Sequence, residues 1–528
     1  MLKSSLGLRG GMTAPHRAAS LAGRDILAAG GTAIEAMVAA AATIAVVYPH
    51  MNGIGGDGFW VIKRRGKAPI GISACGTAAA LATPEFYASK THTDSIPARG
   101  GLAALTVPGT ISGWDEALSL VAKDKRLPLA LLLKDAIGHA KGGIAVTSNQ
   151  ANCTAEKLNG LHDVPGFAAT YLIDGAIPRA GQKLVQYALG DTLEHLAQNG
   201  LRSFYEGAPA RAHAAYLEAN GSPLRASDFA AYQAQEVTPL TLKTSQGQLF
   251  NMTAPTQGVA SLMILGLFDR LGVTESEGFD HLHGLIECTK QAFIRRTTEL
   301  GDPDHMAVHA QDWLEAAQLD AMAAQIDPAK ALSWPYEPAQ GDTIWMGASD
   351  SEGTVVSFIQ SVFWEFGSGL TCPDTGVFFQ NRGAGFSLGP GPNQVGPGRK
   401  PFHTLNPAIA VLNDGRVMSY GTMGGEGQPQ TQSAVFTRYV QFGMDLQAAI
   451  TAPRWLLGKT WGDDTTSLKL EARFDPDLVM ALKNAGHDVE LLPEFSDLTG
   501  HAGALVLHSD GLVETATDPR ADGAALSF

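Results

Sequence analysis

Residues 18–47, AASLAGRDILAAGGTAIEAMVAAAATIAVV, repeat apolar and small side chains at helical spacing. Gly30-Gly31 interrupts them where a C-cap glycine belongs, so two helices are predicted. The second is apolar nearly all round and belongs in the interior. Tyr48-Pro49 ends it, and YPHMNGIGGDGFWVI (48–62) reads as a glycine-rich turn entering an apolar strand. Between about 115 and 300, amphipathic helical stretches alternate with polar loops; EHLAQNG ends one helix at Gly200 and LHGLIECTKQAFIRR carries another. The helical pattern returns over 314–326 until Pro328, and ALSWPYEPAQGD (331–342) then predicts an exposed linker. After it the pattern becomes that of strands. TIWMGAS and TVVSFIQSVF flank DSEG, and PAIAVLNDGRVMSYGT bends at Asn413-Asp414-Gly415, which predicts two hairpins. Helices first and a β-meander later point to α/β or α+β layers.

At 528 residues and 45% hydrophobic, the chain can bury a large core, and length alone suggests two to four units of about 150 residues. A net charge of −14 argues against nucleic acid and anionic membranes as partners, since both reward a basic face. Four cysteines (Cys75, Cys153, Cys288, Cys372) lie far apart with no CxxC pair, so isolated thiols are expected. The longest largely apolar run, Ala36 to Val47, falls well short of the roughly 20 residues of a membrane span, and a soluble, cytoplasmic protein is expected. The glycines of 53–58 resemble a phosphate loop only loosely, because no strand precedes them and no Lys-Ser/Thr follows.

Candidate chemistry begins at Thr343, which opens a strand directly after the linker. A threonine hydroxyl needs a base beside it to act as a nucleophile, and its own α-amine is the most economical one. That amine exists only if the Asp342–Thr343 bond is cut. In YGTMGGEGQPQTQ, adjacent backbone N–H groups at Gly424 and Gly425 could meet a developing oxyanion, although a plain turn would use the same glycines.

The chain is similar to the γ-glutamyltranspeptidase family. The likeness runs in order through GGTAIEAMVAAAATIAVVYPHMNGIGGDGFW, LTVPGTISGW, FYEGAPA, GDPD, GDTIWMGASDSEGTVVSFIQS, RKPFHTLNPAI, GTMGGEGQPQ, APRW and DPRADGAA. The resemblance implies a four-layer αββα sandwich of the N-terminal-nucleophile type. It also implies a proenzyme that cuts itself into a large subunit, 1–342, and a small subunit, 343–528, which together form one αββα unit. Thr343 falls at the nucleophile position, Gly424 and Gly425 at the oxyanion pair, and Ser361 where the family has a threonine bonded to the nucleophile. The expected partners are a small-molecule amide and the two cleaved subunits, with further pairing of that αβ unit left open. No metal or organic cofactor is expected: no cluster of ligands has metal-binding spacing, and the Thr343 amine makes a metal unnecessary.

Several glutamyl anchors of the family are missing. Cys75 stands where an arginine holds the α-carboxylate, Ala384 and Gly385 replace two aspartates, and Phe363 replaces an asparagine. The chain gains Arg382, and His403-Thr404 replaces a double serine in KPFHTLNP, the turn that also carries Asn406. Arg382, His403, Thr404, Asn406 and Cys75 are therefore the substrate-binding candidates. Arg382 could instead be a surface or subunit-bridging residue, and His403 a packed or wall residue. The expected substrate is a small carboxylated amide without a free amine, such as oxamate. The alternatives are a γ-glutamyl hydrolase or transferase, and an uncleaved, silent binding protein.

Overall fold

The strands carry apolar residues on both faces because two seven-stranded antiparallel sheets pack on each other and each is covered outside by helices. The computed structural model describes residues 3–91, 95–334, 342–458 and 465–528. The first sheet runs, edge to edge, through 524–527, 10–14, 342–350, 355–363, 57–63, 70–74 and 235–237. The second runs through 5–7, 513–517, 502–507, 417–422, 408–412, 247–251 and 240–243. Alternation along each strand sorts its side chains into separate layers. Phe59, Val61, Trp345, Val355 and Ile359 of the first sheet meet Phe250, Ile409 and Leu505 of the second between the sheets. Trp60, Ile62, Met346 and Phe358 turn outward under helices that include Ala33–Val47. On the far side Leu249, Ala410 and Val506 pack under Gly258–Leu271, Phe279–Glu299 and Gly427–Phe436. The αββα sandwich is thus present, as one unit rather than the several that length alone suggested.

The predicted helix pair occupies Arg17–Ala28 and Ala33–Val47, with Gly30 at φ +88° between them. Thr32 and Glu35 form a capping box at the second start, and every residue of 33–47 is buried. Both hairpins form, Val355–Phe363 folding back on Asp342–Asp350 and Val417–Thr422 on Ala408–Leu412. The helix expected over 314–326 is shorter, Ala316–Ala323, because a 3-10 turn takes up Ala310–Leu314. Helices first and strands later is only half the arrangement. Both sheets contain strands from before and after position 342, so the two parts of the chain are interwoven. Residues 335–341 of the predicted exposed linker lie outside the described residues.

Candidate active site

Thr343 lies near the start of the Asp342–Asp350 strand, as the sequence pattern predicts, and is buried. The register slips beside it: Asp342 pairs with Phe363 but Ile344 with Gln360, so Ser361 and Val362 bulge opposite Thr343. Bulges of this kind re-aim side chains next to catalytic centres. Ser361 Oγ accepts the Phe363 N–H at 2.8 Å, and Phe363 sits at φ +83°. On its other side Ser361 pairs with Asp57, the first residue of the Asp57–Lys63 strand. Gly56 precedes it with its α-carbon against the Ser361 carbonyl, where a Cβ would collide. The glycine-rich stretch therefore allows close backbone approach to the bulge, and its reading as a tight turn holds.

The second sheet supplies the other wall. After strand Val417–Thr422 the chain turns through Gly424 (φ +108°) and Gly425 (φ +51°) into helix Gly427–Phe436. Among the described residues neither glycine N–H donates to an acceptor. Both lie at a helix N-terminus, where the macrodipole favours negative charge. Gln257 Nε2 steadies the turn by donating to the carbonyls of Gly425 and Thr404, both at 2.8 Å. Arg296 orients Gln257 at 2.8 Å and pairs with Glu426 at 2.8 Å.

Arg382 opens the short turn 382–385 and is fully buried. Its guanidinium lies 4.0 Å above the Phe363 ring, which forms a cation–π floor beneath it. Nη1 makes a long 3.4 Å contact to Thr404 Oγ1, while Nε and Nη2 have no partner among the described residues. Burial pushes this guanidinium down to about 9, against the pull of Asp57 and Cys75, so it remains a cation at neutral pH. His403 is buried edge-on against Phe59, with Nε2 2.8 Å from Asp57 Oδ2 and Nδ1 without a partner among the described residues. Burial first, and the Arg382 charge second, push His403 down to about 4, so the ring is neutral. Burial, reinforced by Asp57, holds the Cys75 thiol well above its usual pKa. Cys75 also borders a cavity of about 340 Å³ lined by Tyr232, Gln235 and Lys400. Asn406 braces the 403–406 turn: its Nδ2 lies 3.4 Å from Thr404 O, and Gln432 binds its carbonyl and side-chain oxygens.

Asp57, Cys75 and His403 place ligand-type atoms within 4.8 Å of one another, but the nearby Arg382 cation and the donors already on Asp57 oppose a metal ion there. The trio His283, Glu287 and His487 is disfavoured in the same way, because the Lys290 ammonium sits 2.7 Å from Glu287.

The links run from neighbour to neighbour: the bulge at Ser361 lies opposite Thr343, Ser361 pairs with Asp57, Asp57 meets His403 and lies near Cys75, Arg382 touches Thr404 and Phe363, and Gln257 joins the 403–406 turn to Gly425. The sequence reading missed Asp57, Gln257 and Arg296. Asp57 had one visible signal, as the only acid within the glycine run 53–58.

The architecture is that of the N-terminal-nucleophile hydrolases, here enzymes acting on C–N amide bonds. The chain belongs to the gamma-glutamyltranspeptidase family, whose model matches residues 19–528. It is 52% identical over the full length of both chains to the oxamate amidohydrolase proenzyme of Klebsiella pneumoniae. It is 36% identical, again over the full length of both, to the glutathione hydrolase-like YwrD proenzyme of Bacillus subtilis. Among solved structures, cephalosporin acylase from Bacillus halodurans superposes with a TM-score of 0.92 at 29% identity, covering 100% of this chain and 97% of that one.

Proposed function

We propose that this chain is a self-processing amidohydrolase that uses Thr343 to hydrolyse a small amide bearing an adjacent carboxylate, with oxamate going to oxalate and ammonia. The observation that carries the reading is Arg382, a fully buried guanidinium with two donor nitrogens unpartnered among the described residues, stacked on Phe363 at the end of the bulge opposite Thr343. An uncompensated buried charge is costly unless an anion meets it, and a planar fork suits a carboxylate. The name of the Klebsiella relative agrees with this reading, and the proenzyme names of both curated relatives agree with self-cleavage.

In maturation, Thr343 Oγ attacks the Asp342 carbonyl carbon and the Asp342–Thr343 C–N bond breaks. The Asp342 acyl group is left as an ester on Oγ and the α-amine is freed; water then hydrolyses the ester. In turnover the α-amine takes the Oγ proton as Oγ attacks the amide carbon. The oxyanion faces the Gly424 and Gly425 N–H groups, and the carboxylate faces Arg382 Nε and Nη2. The α-amine returns its proton to the leaving nitrogen, ammonia departs, and water releases oxalate from Oγ. The balance is oxamate plus water giving oxalate plus ammonium. Phe363, Ala384 and Gly385 offer no anion to a substrate ammonium, which disfavours a γ-glutamyl head group.

The test is intact mass spectrometry of wild type and Thr343→Ala, with ammonia release measured on oxamate and product release on a γ-glutamyl anilide. Wild type should give fragments 1–342 and 343–528 and act on oxamate; Thr343→Ala should stay whole and lose at least about 10⁴-fold in turnover. Preference for the anilide would favour a γ-glutamyl enzyme. An uncut, inactive wild type would leave a silent fold.

A further inference from the structure

Asp57 takes no part in the steps above, yet its geometry fixes the state of a neighbour. Its Oδ1 accepts the backbone N–H groups of Gly76 (2.9 Å) and Gly109 (3.2 Å) and Gln380 Nε2 (2.9 Å). Its Oδ2 lies 2.8 Å from His403 Nε2. A carboxylate can only accept, so Nε2 carries the imidazole proton and Nδ1 presents a lone pair. That Nδ1 is buried and unpartnered among the described residues, as are Arg382 Nε and Nη2. The depressed His403 pKa, about 4, keeps the arrangement intact at neutral pH. One buried cluster therefore offers two open donors, which suit a carboxylate, and one open acceptor, which suits an N–H.

We infer that Asp57 acts as a positioning residue for specificity: by fixing His403 as an acceptor at Nδ1, it makes the site favour an amide N–H and oppose a carboxylate oxygen at the same place. The inference rests on the proposed reaction and deepens it. Oxamate and oxalate differ only in an NH₂ against an O⁻. The NH₂ donates to Nδ1, whereas the O⁻ sets lone pair against lone pair in a site withdrawn from water. Selectivity built on such a repulsive element is a difference of affinities, here about tenfold to a hundredfold. The product is then repelled by the group that welcomed the substrate.

The test uses the mature enzyme and two small probes, oxamate and oxalate. In wild type, oxalate should inhibit with a Ki at least about tenfold above the KM for oxamate. Asp57→Asn keeps an oxygen for the three donors and turns an N–H toward Nε2, which moves the imidazole proton to Nδ1. The two constants should then cross, with oxamate KM rising and oxalate Ki falling, each by about tenfold or more, while self-cleavage persists. Simple damage to the site would weaken both. Wild-type oxalate inhibition as tight as oxamate binding overturns the inference without any variant, and so does a parallel change of both constants in Asp57→Asn. A wild-type enzyme that neither hydrolyses oxamate nor binds oxalate overturns the proposed reaction and this inference together.

Discussion

Arg382 and Arg520 are both withdrawn from water, and they meet that situation in opposite ways. Arg520 donates Nε to Glu471 at 2.7 Å, Nη1 to Asp518 at 3.2 Å and Nη2 to the Ala452 carbonyl at 3.3 Å, with Glu471 also bound to Nη2. Burial pulls its pKa down, but the Glu471 and Asp518 carboxylates outweigh burial and leave it raised. Among the described residues Arg382 has one long hydrogen bond and two idle donors, and burial leaves its pKa lowered. Depth of burial therefore does not distinguish a structural arginine from the one proposed to bind substrate. The distinction lies in whether the fold has spent the donors.

The strongest way to break this contrast is through stability at Arg520. Arg520→Met leaves Glu471 and Asp518 short of a partner and should cost about 3–5 kcal/mol, read as a lower urea midpoint. Arg382→Met removes a charge whose burial outweighs the pull of Asp57, so its urea midpoint should equal or exceed wild type. Its kcat/KM for oxamate should nevertheless fall by a hundredfold or more, about 3 kcal/mol. If the first variant keeps its midpoint, or the second keeps its activity, the contrast fails.

A smaller effect concerns a buried base with a polar partner but no charged one. His213 lies 3.0 Å from Thr375 Oγ1, and burial pushes it down to about 3 from an ordinary 6.5. Between those values the unfolded chain binds the proton and the folded one does not. Stability should therefore fall as pH drops below 6.5, by at most about 1.4 kcal/mol per pH unit from this residue. His213→Gln should flatten the acid limb by that slope when unfolding free energies at pH 5.5 and 4.5 are compared. An unchanged slope would mean that the buried ring is not kept neutral.

Features written into local sequence were legible in advance. The capped pair of helices, the turns at Gly353 and Gly415 and the strand starting beside Thr343 each depend on neighbours a few residues away. Asp57 is different, because its partners Gly76, Gly109, Gln380 and His403 come from four separate segments. No spacing along the chain announces such a convergence. Gln257 and Arg296 were hidden for the same reason, their partners Gly425 and Glu426 lying more than a hundred residues away. The strands 235–237, 240–243 and 247–251 escaped notice because they are short and carry polar residues, so helices seemed to fill the first half of the chain.

The mixing of strands from both sides of position 342 bears on how the molecule can be made a second time. In the uncut chain, strands such as Gly10–Ala14 and Asp342–Asp350 find each other within one polymer, so refolding after dilution from denaturant is independent of concentration. A chain cut at 342–343 has the same sheets, but once unravelled its two pieces must meet by collision. If the proposed cut is made there, the mature form is a product that its own ingredients reassemble poorly at low concentration, and its lifetime is set by how slowly it first comes apart.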